Sequence, residues 1–335
     1  FREKNAEGDL VGGPMYYIKN GLNKNWHWLA YLFAAFGVLT VFGTGNATQV
    51  NTITTAIDSA LFNYGVIGVD AAKTVNLVIG IVLAVLIALI LLGGIKRIAT
   101  VSEVIVPFMA ILYFVTILIL MLTNVTAVPA AFGTIIKGAF DPAAVTGGVV
   151  GGIFVAMQSG IARGIFSNEA GLGTGPIAAA SAKTKEPVRQ GLVSMTGTFI
   201  DTIVICTMTG LAIVIAGSWA NPDLKGVAIT TEAFQSGLPF PSVVSSFVLM
   251  ICLAFFAFTT ILGWDYYSER CLEYLTGGKK TAIMIFRVCY IIAVFIGPYM
   301  TVSAVWTIAD IFNGLMAIPN MIAMFALNGV VVFET

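Results

Sequence analysis

The sequence predicts an all-α polytopic membrane protein, and three observations carry that prediction. Of 335 residues, 58% are hydrophobic and only 10% are charged, where a soluble domain carries roughly 25% charged residues. Apolar runs of about 20 residues recur along the chain, the length that crosses a bilayer as a helix. Threaded through a membrane, those runs leave the cationic residues almost wholly on one side. The mean hydropathy of +0.94 agrees: the surplus apolar surface needs lipid.

Eight membrane segments follow in order. The first covers residues 28–57 and is interrupted by Gly43-Thr44-Gly45-Asn46. The second is 74–93 and the third 104–123. The fourth begins near Gly147, breaks within "GIARGIFSNEAGLGTGP" (160–176) and continues to Ala182. The fifth is 188–216, the sixth 241–264 and the seventh 281–298. The eighth, 302–327, is broken near Asn313-Gly314 and Pro319-Asn320. Membrane helices tolerate Pro and Gly breaks only where neighbours or water satisfy the freed backbone groups, so each break points to a bundle interior or a cavity. The connection 217–240, with Asn221-Pro222 and Pro239, reads as a long turn rather than a gate.

Alternating through these segments, one side collects Arg2, Lys4, Lys19, Lys24, Lys96, Arg97, Lys183, Lys185, Arg189, Arg270, Lys279, Lys280 and Arg287. The other collects only Lys73, Lys137 and Lys225. The first side is therefore expected to be cytoplasmic, with both ends of the chain there. The chain opens Phe1-Arg2-Glu3-Lys4, with neither the n-region nor the h-region of a signal peptide, and reads as the interior of a longer protein.

Several function classes are excluded. A net charge of zero suggests no nucleic-acid partner. Cys206, Cys252, Cys271 and Cys289 form no CxxC or metal-ligand spacing and read as small core residues. Gly171-Leu172-Gly173-Thr174-Gly175 follows no strand and leads to no P-loop lysine, so it is not a nucleotide loop. The single histidine, His27, flanks a helix start, and no nucleophile constellation surrounds it, which argues against an enzyme. No organic cofactor is expected.

Ionisable groups inside membrane segments are functional candidates because burying them is costly. They are Arg163, Glu169, Asp201, Asp265 and Asp310. Each either pairs structurally or meets substrate or ion. Arg163 is expected to pair with Glu169 or Asp201, and Asp265 to lie at a cytoplasmic helix end. Gln49 lies about one turn after Asn46, so both are expected to face one interior side. The hydroxyls of Thr259 and Thr260 either bond back to the preceding turn or offer hard oxygen ligands to a small cation. Trp264 lies one turn beyond Thr260. A broken helix near the midplane exposes N–H and C=O groups that bind a zwitterion and a cation together. Glycine permits the break and the close approach of a ligand, and Asn168 and Glu169 are placed to brace the open backbone. The residues by themselves thus reach a secondary transporter with a midplane site.

Several blocks then resemble the alanine or glycine:cation symporter family, the sodium:alanine symporters. They are "VGGPMYYI" (11–18), "GNATQVN" (45–51), "LGGIKRIA" (92–99), "VPFMAILY" (106–113) and "ARGIFSNEAGLGTGPIA" (162–178). Further on come "AKTKEPVRQGLVSMTGTFIDTIVICTMTGL" (182–211), "FTTILGWDYYSERCLEYL" (258–275) and "ADIFNGLMAIPNMIA" (309–323). The resemblance spans essentially the whole chain, in the family's order. It implies a LeuT-type fold of two five-helix inverted repeats and cotransport of a small neutral amino acid, alanine or glycine, with sodium. It places Gln49 in the third core helix near the substrate, and Ser159 and Gly160 where the sixth core helix approaches it. Family members often carry an aromatic where this chain has Ser159. Thr260 and Trp264 match pocket residues of the eighth core helix, and Thr259 and Thr260 the hydroxyls of the second sodium site. A large Trp264 near the side chain leaves room for hydrogen or methyl. The family has further helices before "VGGPMYYI", so the chain is expected to be one membrane domain holding core helices three to ten. Proton coupling through Glu169, Asp201 or Asp310 is the alternative, and a passive channel or membrane-embedded enzyme a more distant one.

Overall fold

In lipid, a helix alone satisfies every backbone N–H and C=O within one segment, and the apolar runs fold accordingly. The structure, a computed structural model, describes residues 1–65, 71–140 and 149–334. A short antiparallel pair, β1 (Glu3–Lys4) and β2 (Leu10–Val11), leads in. Then come α1 (Pro14–Gly21), α2 (Trp28–Thr40), a π-helical segment π1 (Val41–Ala47) and α3 (Thr48–Asn63). After them lie α4 (Ala72–Leu91), α5 (Gly94–Thr123) and α6 (Val128–Phe140). The middle of the chain holds α7 (Val149–Asn168), α8 (Thr174–Ala179), α9 (Pro187–Phe199), a second π-helical segment π2 (Ile200–Cys206) and α10 (Thr207–Ala216). The chain ends with α11 (Val227–Gly237), α12 (Ser242–Thr276), α13 (Lys280–Ile296), α14 (Val302–Ala326) and α15 (Asn328–Glu334).

Among the described residues, 7 helical stretches are long and apolar enough to cross a membrane. They match the expected segments other than the fourth. The expected start of the fourth near Gly147 lies outside the described residues; α7 ends at Asn168, where the break was expected.

Four local expectations are corrected. Gly43-Thr44-Gly45-Asn46 does not interrupt its helix. It widens into π1, and side chains take the loosened carbonyls: Thr48 Oγ1 donates to Thr44 O at 2.7 Å and Gln49 Nε2 to the same oxygen at 3.0 Å. Nor is α14 broken, although Pro319 lies inside it; Asn313 and Asn320 bond sideways to other elements. The connection 217–240 contains α11 instead of a simple turn. And α12 runs on to Thr276, because the charges that read as a membrane exit pair within the protein: Glu269 with Arg287 of α13, and Arg270 with Glu273 at 2.6 Å.

The long α12 is the centre of the packing. It lies against α2, α3, α5, α11 and π1, while α14 covers α2 and π1 and α13 packs on α4. One apolar cluster gathers Phe33, Val41, Ile87, Ile261, Trp264, Tyr290 and Met316. A second joins α5, α10, α11 and α12 around Ile117, Leu120, Phe234 and Cys252. Cys252 and Cys271 are core residues as expected, whereas Cys206 and Cys289 lie on exposed faces.

Candidate functional site

Two glycines bring π1 against its neighbours. A Cβ on Gly45 would stand 2.2 Å from Trp264 Cβ, and one on Gly43 would stand 3.0 Å from the Ala309 nitrogen. Trp264 is 2% exposed and meets the Tyr267 ring edge-on at 5.8 Å. Tyr290 pins the same region. Its hydroxyl donates to Ile261 O at 2.7 Å and reaches Gly45 O at 3.1 Å, and its own carbonyl accepts from Asn46 Nδ2 at 3.1 Å. On the other flank, Thr44 Oγ1 donates to Asn313 Oδ1 at 2.9 Å. A π-helical widening shifts the ladder and re-aims side chains, and such bulges recur at functional sites.

The break after α7 meets this region through Trp264. Glu169 has φ 55°, followed by Gly171 at 82° and Gly173 at 92°. Glycine adopts that conformation freely, whereas a glutamate there needs support. The Glu169 carboxylate accepts from Thr174 Oγ1 at 2.5 Å and faces the Trp264 indole N–H. Asn168 ties the end of α7 to π2, donating to Thr202 Oγ1 at 3.0 Å and accepting from the Ala170 N–H at 2.8 Å. Beside it, Ser167 Oγ donates to Asp201 at 2.6 Å. Asn320 holds the turn from α14: its Nδ2 donates to Gly171 O at 2.8 Å and its Oδ1 accepts from the Tyr17 hydroxyl. A Cβ on Gly173 would stand 2.6 Å from Pro14 Cγ, so the turn lies directly on α1. Beyond α8, the Arg2 guanidinium donates to the carbonyls of Ala180, Ala182 and Thr184.

Asn320→Ala removes both of its bonds and strands the Gly171 carbonyl. The expected loss is about 1–3 kcal/mol of stability, read as a lowered unfolding temperature of the purified protein. Unchanged unfolding would mean that the turn is held by Glu169 and Gly173 alone.

The residues singled out in the sequence are thus only partly gathered. Trp264 and Glu169 meet, while Gln49 is tied to the Thr44 carbonyl of π1, the segment whose Gly45 lies against Trp264. Thr259 and Thr260 bond back to their own helix, to Phe255 O at 2.9 Å and Phe256 O at 2.8 Å, and the Thr259 hydroxyl also faces the Met109 sulfur at 3.8 Å. Ser159 and Gly160 lie on an exposed face of α7, which packs mainly on π2. Arg163 pairs with Asp310, not with Glu169 or Asp201, because Asp201 is taken by Ser167 and Glu169 by Thr174. Its guanidinium also stacks over the Trp306 ring at 4.2 Å. Asp265 is not at a helix end; it is fully buried in α12. Arg287 is not a loop charge, since it lies within α13 and pairs with Glu269.

Tyr290 carries no weight in the sequence reading, and Asn313 and Asn320 enter it only as markers of a break. The two asparagines had a usable signal. Seven residues apart is two helical turns, so both present to one side of α14. Tyr290 had none, being one aromatic within an apolar run.

The sodium:alanine symporter family model matches residues 1–335. An uncharacterized transporter of Haemophilus influenzae is 51% identical over 337 residues, covering 100% of this chain and 70% of that protein. The sodium/alanine symporter AgcS of Methanococcus maripaludis is 44% identical over 340 residues, covering 100% and 71%. The probable sodium/glutamine symporter GlnT of Bacillus subtilis is 38% identical over 331 residues, covering 99% and 65%. The match over the full span of the chain, on a multi-pass helical protein whose broken segment meets a buried tryptophan, establishes that this chain belongs to the sodium:alanine symporter family.

Proposed function

We propose that the complete protein carries a small neutral amino acid, alanine or glycine, into the cell together with sodium, by alternating access. The observation that carries this reading is the junction at Trp264, where a glycine-rich break, a π-helical backbone and a buried aromatic converge. The substrate contacts in this reading are Gln49, Ser159, Gly160, Thr260 and Trp264. Trp264 limits the side chain to hydrogen or methyl by steric exclusion, which favours alanine over a substrate as long as glutamine. Ser159 and Gly160 reach the substrate only if α7 moves against π1 and α12, a rearrangement that alternating access supplies. Thr259 and Thr260 bind the sodium. Their donated protons are used within α12, yet a hydroxyl that donates keeps lone pairs for a cation. Arg163 with Asp310, and Asn168, Glu169 and Asp201, fix and release the broken segment. The chain forms a single membrane domain of the LeuT-type inverted-repeat architecture in the cell membrane, with both of its ends cytoplasmic. The Lys and Arg asymmetry supports that orientation.

The test is uptake of radiolabelled L-alanine by the complete protein in liposomes. A sodium gradient is expected to drive saturable uptake, and Thr260→Val is expected to abolish the sodium stimulation. Sodium dependence unchanged in that variant overturns the sodium assignment. Uptake driven by a pH gradient in sodium-free buffer replaces sodium with protons, and non-saturable flux favours a channel.

A further inference from the structure

Beside π1 lies a charged group that the symport reading does not use. Asp265 is 0% exposed, and neither of its carboxylate oxygens has a hydrogen-bond partner among the described residues. The groups around it are committed elsewhere. Arg287 of α13 gives Nε and Nη2 to Glu269, one turn along α12 from Asp265, the second bond at 2.9 Å. Tyr290, which also faces Asp265, spends its single hydroxyl proton on Ile261 O, with Gly45 O as the other acceptor. Asn46 is 0% exposed too, and its Oδ1 is a second orphaned oxygen against the same tyrosine.

The charges do not balance. The charged groups acting on Asp265 are Glu269 and Arg287; α2 and π1 contribute none. Two carboxyl groups therefore share one guanidinium, which leaves one negative charge without a partner. An isolated buried carboxylate is so costly that in practice it takes up a cation or a proton. A divalent ion gathers six or more oxygens, and no group of three or more His, Cys, Asp or Glu side chains is assembled among the described residues to supply them; a monovalent cation is distinguished by the sodium arm of the test. A proton needs one oxygen, and it removes the unpaired charge without any further ligand.

We propose that Asp265 is a proton-binding site at the junction of π1, α12 and α13, occupied in the arrangement seen here. Solvent does not reach it in this arrangement. Its proton is therefore exchanged only when π1 and α12 separate, and its protonation reports and constrains that separation. The carriers weighed from the sequence, Glu169, Asp201 and Asp310, each have a hydrogen-bonded or ionic partner; Asp265 alone of these acids has none.

The test is infrared difference spectroscopy of the complete protein in lipid nanodiscs at neutral pH, with and without sodium chloride. The wild type is expected to show the carbonyl stretch of a protonated carboxylic acid, slow to shift in D2O, and Asp265→Asn is expected to lose it. Where that variant does not fold, 13C-aspartate labelling of the wild type is expected to shift the same band, and a band that shifts only with 13C-glutamate labelling overturns the assignment. Absence of the band, meaning a carboxylate, also overturns it. So does loss of the band on adding sodium but not choline, which would assign the site to sodium. The readout requires no transport, so it stands or falls apart from the symport reading.

Discussion

Arg287→Met is expected to be the most destabilising single change in the core, by about 3–5 kcal/mol. The guanidinium of Arg287 lies between α13 and α12 and gives two nitrogens to Glu269, whose side chain is 7% exposed. Removing it strands Glu269 in an apolar interior beside Asp265, so two like carboxyl groups remain with no cation. The loss comes mainly from the charge left behind and not from the attraction removed. The double variant Arg287→Met, Glu269→Gln should therefore recover much of the stability, because no unpaired charge is created. Thermal unfolding of the purified complete protein, compared across the wild type, both singles and the double, makes this a double-mutant cycle. A single variant no less stable than the double would show that the interior admits water at this point.

Gly45→Ala is expected to lower sodium-driven uptake more than tenfold. The added carbon would lie 2.2 Å from Trp264 Cβ and 2.5 Å from Cγ, inside any tolerated contact. The obstruction is the stem of the tryptophan and not a flexible tip, so either π1 or α12 must shift. Overpacking of this kind costs about 1–3 kcal/mol in a close-packed core, and here the shift displaces Trp264 from Glu169 as well. Gly314→Ala is the control. It lies in the same bundle, on α14, with open space where its Cβ would go, and replacing a helical glycine there is neutral or mildly stabilising. Equal uptake by the Gly45 and Gly314 variants would mean that the approach of π1 to Trp264 is not needed for transport.

Much of the architecture was legible in the residues. Long apolar runs have one solution in lipid, so the places of the membrane-crossing stretches follow largely from hydropathy, and the expected segment 188–216 agrees with Pro187–Ala216 to within a residue. The break after Asn168 was legible too, because Gly171 and Gly173 mark positive φ before any packing is known. Gly43 and Gly45 were misleading for a related reason. Glycine signals a close approach as readily as a break, and the neighbour that approaches, Trp264, is distant in the chain.

The sequence by itself determined the class of protein and the places of seven membrane-crossing stretches among the described residues, and of the three breaks it suggested, the one after Asn168 leaves the helix. These are set by local chemistry: hydropathy over about 20 residues and the backbone freedom of glycine. Only the tertiary structure decided which polar group meets which. Arg163 takes Asp310 across 147 residues, Asn320 takes Gly171 across 149, and Tyr290 closes on Gly45 across 245. It also decided that Asp265 is left with no hydrogen-bond partner among the described residues. Hydropathy counts a polar side chain only as a cost, whereas its partner depends on how helices pack, and packing depends on many side chains at once.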